Sequence, residues 1–253
     1  MKQYARETKN SAIGSRYWKS PLLSREPRAV HAVTRGDFNM ASTVGPDMPG
    51  TVERRRRVCH DLALSFDRLT VGRQVHGDHV VVVDGQRIGA ADGLVTDQPD
   101  VPLMALSADC CLMTVFDPAR PAIGVAHAGW RGTVAGIAGV LVQTMVDHYD
   151  ARPETLVAAI GPCAGVCCYA VKADVLAAFD DNGHDPSAII EQRGDATYLN
   201  LAVANRRQLE HSGVRLERID MAGICTICSD DFFSYRRLGP RTGQFALVAA
   251  VRP

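Results

Sequence analysis

The chain has no surplus of either charge: its 28 basic and 28 acidic residues cancel, and its pI is near 7.1. Proteins that hold nucleic acid through overall charge carry a basic excess, so no nucleic-acid partner is expected, and the ligand sought is a small molecule. Long apolar runs are missing too. No uninterrupted stretch approaches the ~20 residues that cross a bilayer, so no membrane partner is expected. The opening MKQYARETKNSAIGSRYWKS is charged throughout and lacks an apolar segment of the signal type. It predicts a mobile N-terminal extension over residues 1–25 of a cytoplasmic protein. No proline- or glycine-rich linker, repeat or low-complexity block divides the rest, so residues 26–253 are expected to form a single catalytic domain, monomeric by default.

What the chain does have is cysteine, at positions 59, 110, 111, 163, 167, 168, 225 and 228. In a short secreted chain these would suggest disulfides. At 253 residues and without a leader they predict reduced thiols, to be explained by metal binding, catalysis or burial.

Alternating and β-branched runs predict strands at 29–35, 68–74, 79–84, 103–107, 112–117 and 122–128, with further strands at 155–160, 214–220 and 243–251. Helical periodicity fits 51–65, 132–149, 172–181 and 200–212, the second with Thr133 as its cap. The run Arg54 to Arg57 points around more than one helix face and reads as a solvated surface rather than an anion clamp.

Three segments share one design, an apolar strand ending in a metal-ligand residue with a small neighbour: GRQVHGDH with His76, SADCC with Cys110 and AHAGWRG with His127. Strand ends are where rigid scaffolds present functional side chains, and small residues allow close approach. Two imidazoles and a thiolate suit zinc and leave a fourth position open for water or substrate. The spacings, 34 and 17 residues, match no short metal-finger pattern, and burial in the core is the competing explanation for each segment alone.

The ordered set QVHG, ADGLVTD, SADC, FDP, AHAGWRGT, IGPC with CCYAV, and FFSYRR followed by TGQ closely resembles the YfiH-like family, from about residue 68 to the C-terminus. Members of that family also carry the labels laccase-domain or polyphenol oxidase, peptidoglycan editing factor and purine nucleoside phosphorylase. The resemblance implies an α+β fold, a layered α/β/β/α sandwich with mixed sheets, and a zinc site made by His76, Cys110 and His127, with the glycines of GWRG making room for substrate. It also implies that Arg35 and Asn39 of TRGDFN bind substrate, as contracted versions of the family's Thr-Arg and Leu-Asn elements without the intervening Gly-Gly-Val-Ser. Residues 44–58 resemble the following segment loosely, and Leu112 stands where the family commonly has proline.

Arg131, at a predicted helix start, is a candidate phosphate holder, with a surface salt bridge as the alternative. Asp109 is a candidate to orient a histidine or move a proton beside Cys110 and His127, although strand alternation would aim it away. Asp92 reads as a turn former. In FFSYRR, Phe233 and Arg236 are candidates to stack on a base and neutralise an anion, while core packing is the favoured single explanation of the aromatics. Cys225 and Cys228 form a lone CxxC; a structural zinc would need a second pair, which Cys163, Cys167 and Cys168 supply only if the fold brings them near. Because the resembling family has Cys-Thr at 225 and 226, packing is the expected role of Cys225.

The leading expectation is therefore a zinc-dependent purine nucleoside enzyme acting on nucleoside and phosphate, by phosphorolysis of adenosine or inosine and deamination of adenosine. One alternative makes Cys110 the nucleophile of a cysteine-type hydrolase or amidase on peptidoglycan precursors. Another is a non-enzymatic module with a closed, four-ligand zinc completed by Cys111 or another side chain. Multicopper oxidases pair their histidines as His-x-His; the eight histidines here form no such pair, so copper is only the second choice of metal.

Overall fold

The computed structural model describes residues 16–36, 38–41, 50–85 and 88–253. Strands and helices are numbered in chain order. One sheet runs, in hydrogen-bonded order, β1 (Tyr17–Trp18), β2 (Ala29–Thr34), β14 (Phe245–Val251), β6 (Leu103–Ser107) and β3 (Thr70–Val71). The other runs β13 (Ile219–Met221), β9 (Val157–Ile160), β7 (Cys111–Asp117), β8 (Ala122–Ala128), β5 (Gly93–Thr96) and β4 (Val80–Val82). A smaller sheet joins β10 (Ala170–Val171), β12 (Ala196–Leu199) and β11 (Ile190–Arg193). The helices are α1 (Thr51–Asp61), α2 (Trp130–Val134), α3 (Ile137–Tyr149), α4 (Ala173–Asp181), α5 (Leu201–His211) and α6 (Tyr235–Leu238).

The period of two along a strand builds the layers. In β7, Cys111, Met113 and Val115 face the helices and pack with Ile137, Leu141, Val142 and Met145, the apolar stripe of α3. Leu112 and Phe116 face the other way and meet Leu103, Ala105 and Leu247 of the first sheet. On that sheet's outer side, Val30, Ala32, Met104 and Val248 pack against Val58 of α1. The order is α1, sheet, sheet, α3 with α5, which is the expected α/β/β/α sandwich.

Several elements differ from their sequence-based expectation. The 132–149 helix is two helices, broken where Gly136 adopts φ 87°. Thr133 is not a cap: its hydroxyl donates to the Gly129 carbonyl and accepts from Asn205. The 68–74 strand is regular only at β3, and residues Leu216–Arg218 form a 3-10 turn before β13. In Arg54–Arg57, Arg54 and Arg55 hold the backbone carbonyls of Asn39 and Met40, while Arg56 and Arg57 make exposed pairs with Glu53 and Asp61. Residues 16–25, assigned above to a mobile extension, are folded into the domain: β1 pairs with β2, and Leu23 is fully buried. Residues 1–15, and 44–49 of the loosely matching segment, lie outside the described residues. Among the described residues no helix is long and apolar enough to cross a membrane.

The folded N-terminal segment leans on a buried histidine. The Ser20 N–H donates to Nε2 of His31 at 2.8 Å, and the Ser20 hydroxyl donates to Asp220 of β13. Burial, with help from Lys19, holds His31 down at about 4 from an ordinary 6.5. Between those values the unfolded chain binds a proton that the folded chain refuses. Stability is therefore full above pH 6.5 and falls by about 3 kcal/mol as pH drops through 4. Urea unfolding of wild type and His31→Gln across this range should show the acid-side loss shrinking by about that amount; an unchanged profile would assign the loss to other groups.

Candidate functional site

The chain crosses from one sheet to the other between Ser107, the last residue of β6, and Cys111, the first of β7. At the same end β8 finishes opposite the start of β7, with Cys111 beside Ala128, and β5 begins at Gly93 opposite Ala126. Strand alternation puts His127 in the column of Ile123 and Val125, facing the gap between the sheets, where it is 3% exposed. Cys110 sits in the crossing turn, whose geometry is held by the Ser107 hydroxyl on the Cys110 carbonyl. His76 arrives from the loop before β4. The ligand atoms of His76, Cys110 and His127 all lie within 4.8 Å of one another, and the two imidazoles meet edge to face at 4.8 Å.

Asp92, read from sequence as a turn former, does more than that. Its carboxylate accepts the backbone N–H groups of Val75, His76 and Gly77 at 2.9–3.0 Å, and it bonds Nδ1 of His127 at 2.9 Å. The first three bonds form a nest that holds His76 at φ 64°, a left-handed conformation that non-glycine residues rarely take. The fourth fixes the His127 ring with Nε2 free for the site, the arrangement by which carboxylates orient metal-binding histidines. One buried side chain therefore places two of the three candidate metal ligands. The signal missing from the sequence was distance: Asp92 and His127 are 35 residues apart.

The electrostatics follow from this packing. Burial would push the Cys110 thiol up, but the charges and hydrogen bonds of His127 and His76 bring it down to about 6. Burial would lower His127, but Cys110 and Asp92 raise it to about 9. Asp92 resists its own burial because His127 and the N–H groups of Val75 and Gly77 hold it below the usual carboxylate range. Without metal, Cys110 and His127 thus form a thiolate–imidazolium pair near neutral pH.

The glycines of AHAGWRG make room for the protein's own site residues. A Cβ on Gly129 would lie 2.9 Å from Sγ of Cys110 and 3.1 Å from the His76 ring, and one on Gly132 would lie 2.7 Å from the Gly77 carbonyl. Gly129→Ala should therefore displace Cys110 and weaken metal binding about tenfold or more. Competition against a chromophoric chelator measures it, and wild-type affinity would mean that the loop relaxes at no cost.

Beside the trio opens a cavity of about 550 Å³ whose lining includes Trp130, Arg131, Tyr169, Lys172, Asp174 and Arg236. Arg131 lies over the Trp130 ring and Arg236 over the Tyr169 ring. The Tyr169 phenol is pushed up to about 12 by burial and by the nearby Cys110 and Asp109 charges, which ties the cavity wall to the trio. Sequence reasoning found Arg131 and Arg236 but missed Trp130, Tyr169 and Lys172.

A family model described as multi-copper polyphenol oxidoreductase laccase matches residues 25–252. The chain belongs to this family. It is 34% identical over 228 residues to the purine nucleoside phosphorylase YlmD of Geobacillus stearothermophilus, covering 83% of each chain. It is 40% identical over 198 residues to a purine nucleoside phosphorylase of Deinococcus radiodurans, covering 78% of this chain and 75% of that one. The crystal structure of the Geobacillus YlmD superposes with a TM-score of 0.87 at 30% identity, covering 96% and 98% of the two chains. The Bacillus licheniformis hypothetical protein YfiH superposes at 0.83 with 28% identity, covering 88% and 93%. The YfiH-like resemblance of the sequence therefore holds at the level of the fold.

Against that family pattern, the remaining predicted residues divide. Leu112, in place of the family's proline, is buried between the sheets opposite His127. Asp109 does not orient a histidine: its carboxylate accepts the hydroxyls of Thr226 and Ser234 and the N–H of Arg236, while Asp92 does the orienting. Asn39 is buried, its side-chain oxygen accepting the N–H groups of Ala41 and Gln244. Arg35 pairs with Asp231 at 3.6 Å and lies over the Phe232 ring. Phe233 packs beside Gly243 and Asn39 and does not line the cavity. Cys111 faces the helical layer with Cys163 and does not join the trio, so a four-ligand site completed by Cys111 has no geometric support.

Proposed function

We propose that this protein is a zinc-dependent purine nucleoside enzyme that cleaves adenosine and inosine by phosphorolysis and deaminates adenosine, in the reducing cytoplasm. The observation carrying this reading is the trio placed beside a cavity with two aromatic walls and three cations. The names of the similar Geobacillus and Deinococcus proteins support the same substrate class. In phosphorolysis a phosphate oxygen bonds to ribose C1′ as the C1′–N9 bond breaks, and the purine leaves with the bonding pair and takes up a proton. Arg131, Lys172 and Arg236 would hold the phosphate oxygens by charge-assisted hydrogen bonds. Trp130 and Tyr169 offer faces for the purine, and Asp174 would accept from the ribose hydroxyls.

Two imidazoles and a thiol fit zinc, with three protein ligands leaving one position open, and copper(II) is the second choice. When bound, the ion would supply Lewis-acid polarisation. Binding it would release the His127 proton, because the imidazole must be neutral to ligate.

The test is to incubate zinc-replete protein with adenosine or inosine, with and without phosphate, beside chelated and Cys110→Ala controls, and to separate the products. Phosphate-dependent release of free base by the metal-loaded protein supports phosphorolysis, and inosine formed from adenosine supports deamination. Unchanged nucleosides overturn the reading. One geometric observation favours a second: Cys110, His127 and Asp92 are arranged like a nucleophile, base and orienting acid, as a hydrolase of peptidoglycan precursors would need. An acyl adduct trapped on Cys110 in chelated protein would select it.

A further inference from the structure

The CxxC of the sequence is not alone. The turn Gly165–Tyr169 brings Cys167 and Cys168 against Cys225 and Cys228, and all the thiol sulfurs of this quartet lie within 4.8 Å of one another. Cys163, the other cysteine of that stretch, is excluded because it is buried beside Cys111. The backbone does the joining: the Cys163 N–H donates to the Ile224 carbonyl at 3.2 Å and the Thr226 N–H to the Cys163 carbonyl at 3.0 Å. Gly165 is required at the junction, where a Cβ would sit 2.8 Å from Cβ of Cys225 and 3.3 Å from Sγ of Cys167.

We infer that Cys167, Cys168, Cys225 and Cys228 form a second metal centre, a closed tetrathiolate site for structural zinc. Three features of the geometry agree. The sulfurs of Cys167 and Cys228 are 3.8 Å apart. A tetrahedron with Zn–S bonds of about 2.3 Å has an edge of ~3.8 Å, whereas a disulfide needs ~2.05 Å. Sγ of Cys225 accepts the N–H of Gly165 at 3.3 Å, and the N–H groups of Ile227 and Cys228 also turn toward it. Donors of that kind stabilise a thiolate, the form that ligates. Cys167 and Cys228 are exposed, which gives an ion a way in.

The ion would act as a staple with consequences for the first site. One joined segment continues into Tyr169 and Ala170 of the cavity wall. The other carries Thr226, whose hydroxyl holds Asp109 beside Cys110, and its carbonyls at Thr226, Ile227 and Ser229 are gathered by Arg237. Fixing the sulfurs fixes the cavity wall at Tyr169 and Ala170 on one side and the Thr226–Asp109 bond beside Cys110 on the other.

Because the trio also takes metal in the reading above, the decisive sample is the full chain with His76→Ala, Cys110→Ala and His127→Ala together. After purification under reducing conditions with zinc, it should keep one zinc per chain, with an absorption-edge spectrum fitted by four sulfurs at ~2.3 Å. Adding Cys225→Ser and Cys228→Ser should remove that zinc. If those substitutions prevent folding, cobalt substitution in the trio variant reads the same ligands through the intense visible bands of a tetrahedral tetrathiolate. A folded trio variant that holds no zinc, a zinc shell with nitrogen or oxygen in it, or a Cys167–Cys228 disulfide under those conditions overturns the inference. Turnover enters none of these readings, so failure of the nucleoside activity is distinguishable from failure of the staple.

Discussion

Cys110→Ala is expected to lose purine nucleoside turnover by about 10³-fold, or ~4 kcal/mol of transition-state stabilisation. The thiolate is the only anionic side chain of the trio and, with Asp92, one of the two charges that keep His127 high. Removing it takes away one of the three proposed metal ligands and an electrostatic partner of a buried imidazole together. His76→Ala and His127→Ala should cost similar amounts, and the triple variant little more than any single one, because the residues act as a unit. Steady-state assays at matched metal loading decide it. Turnover surviving in Cys110→Ala would place the reacting centre elsewhere, and strictly additive losses would mean independent roles.

Asp92→Asn should be the most damaging change at a residue that touches neither metal nor substrate. The carboxylate accepts three backbone N–H groups and orients one imidazole, with the side chain shielded from solvent. An amide of the same shape supplies one oxygen and turns a donor NH₂ toward groups that are already donors. Stability should fall by about 2–4 kcal/mol, as charge-assisted bonds are lost and an N–H is left unpaired. Metal affinity should fall about 10–100-fold as the His127 ring and the His76 turn loosen. Since Asp92 is held below its ordinary 3.8, its contribution is present above that pH and is lost as pH falls through the lower folded value. Thermal unfolding at neutral pH and chelator competition measure the two effects. A stability loss without a change in affinity would restrict Asp92 to the turn.

The three metal-ligand candidates were legible because each carries a local mark, an apolar strand ending in a ligand residue next to a small one. His127 shows why: in a column shared with Ile123 and Val125, an imidazole is out of pattern unless something in the fold satisfies it. Asp109 was misread for the complementary reason. Its neighbour is a ligand, but its φ of 109° turns the carboxylate toward Thr226 and Ser234, and adjacency in sequence says nothing about that direction. Phe233 was singled out by residue type alone, while Trp130 and Tyr169, in segments noted for other reasons, line the cavity.

By itself the sequence determined the strand alternation that separates the helix-facing side of β7 and β8 from the side between the sheets, and the main helices, since these depend on contacts a few residues apart; it marked His76, Cys110 and His127 one by one, and their grouping came from the family resemblance. Only the tertiary structure decided that Asp92 orients His127, that Gly129 and Gly132 yield space to Cys110, His76 and Gly77, and that Cys167 and Cys168 meet a CxxC some 60 residues later. Those relations are distances between segments remote in the chain. They exist only once the two sheets have stacked and the crossing turn at Cys110 has closed their common end.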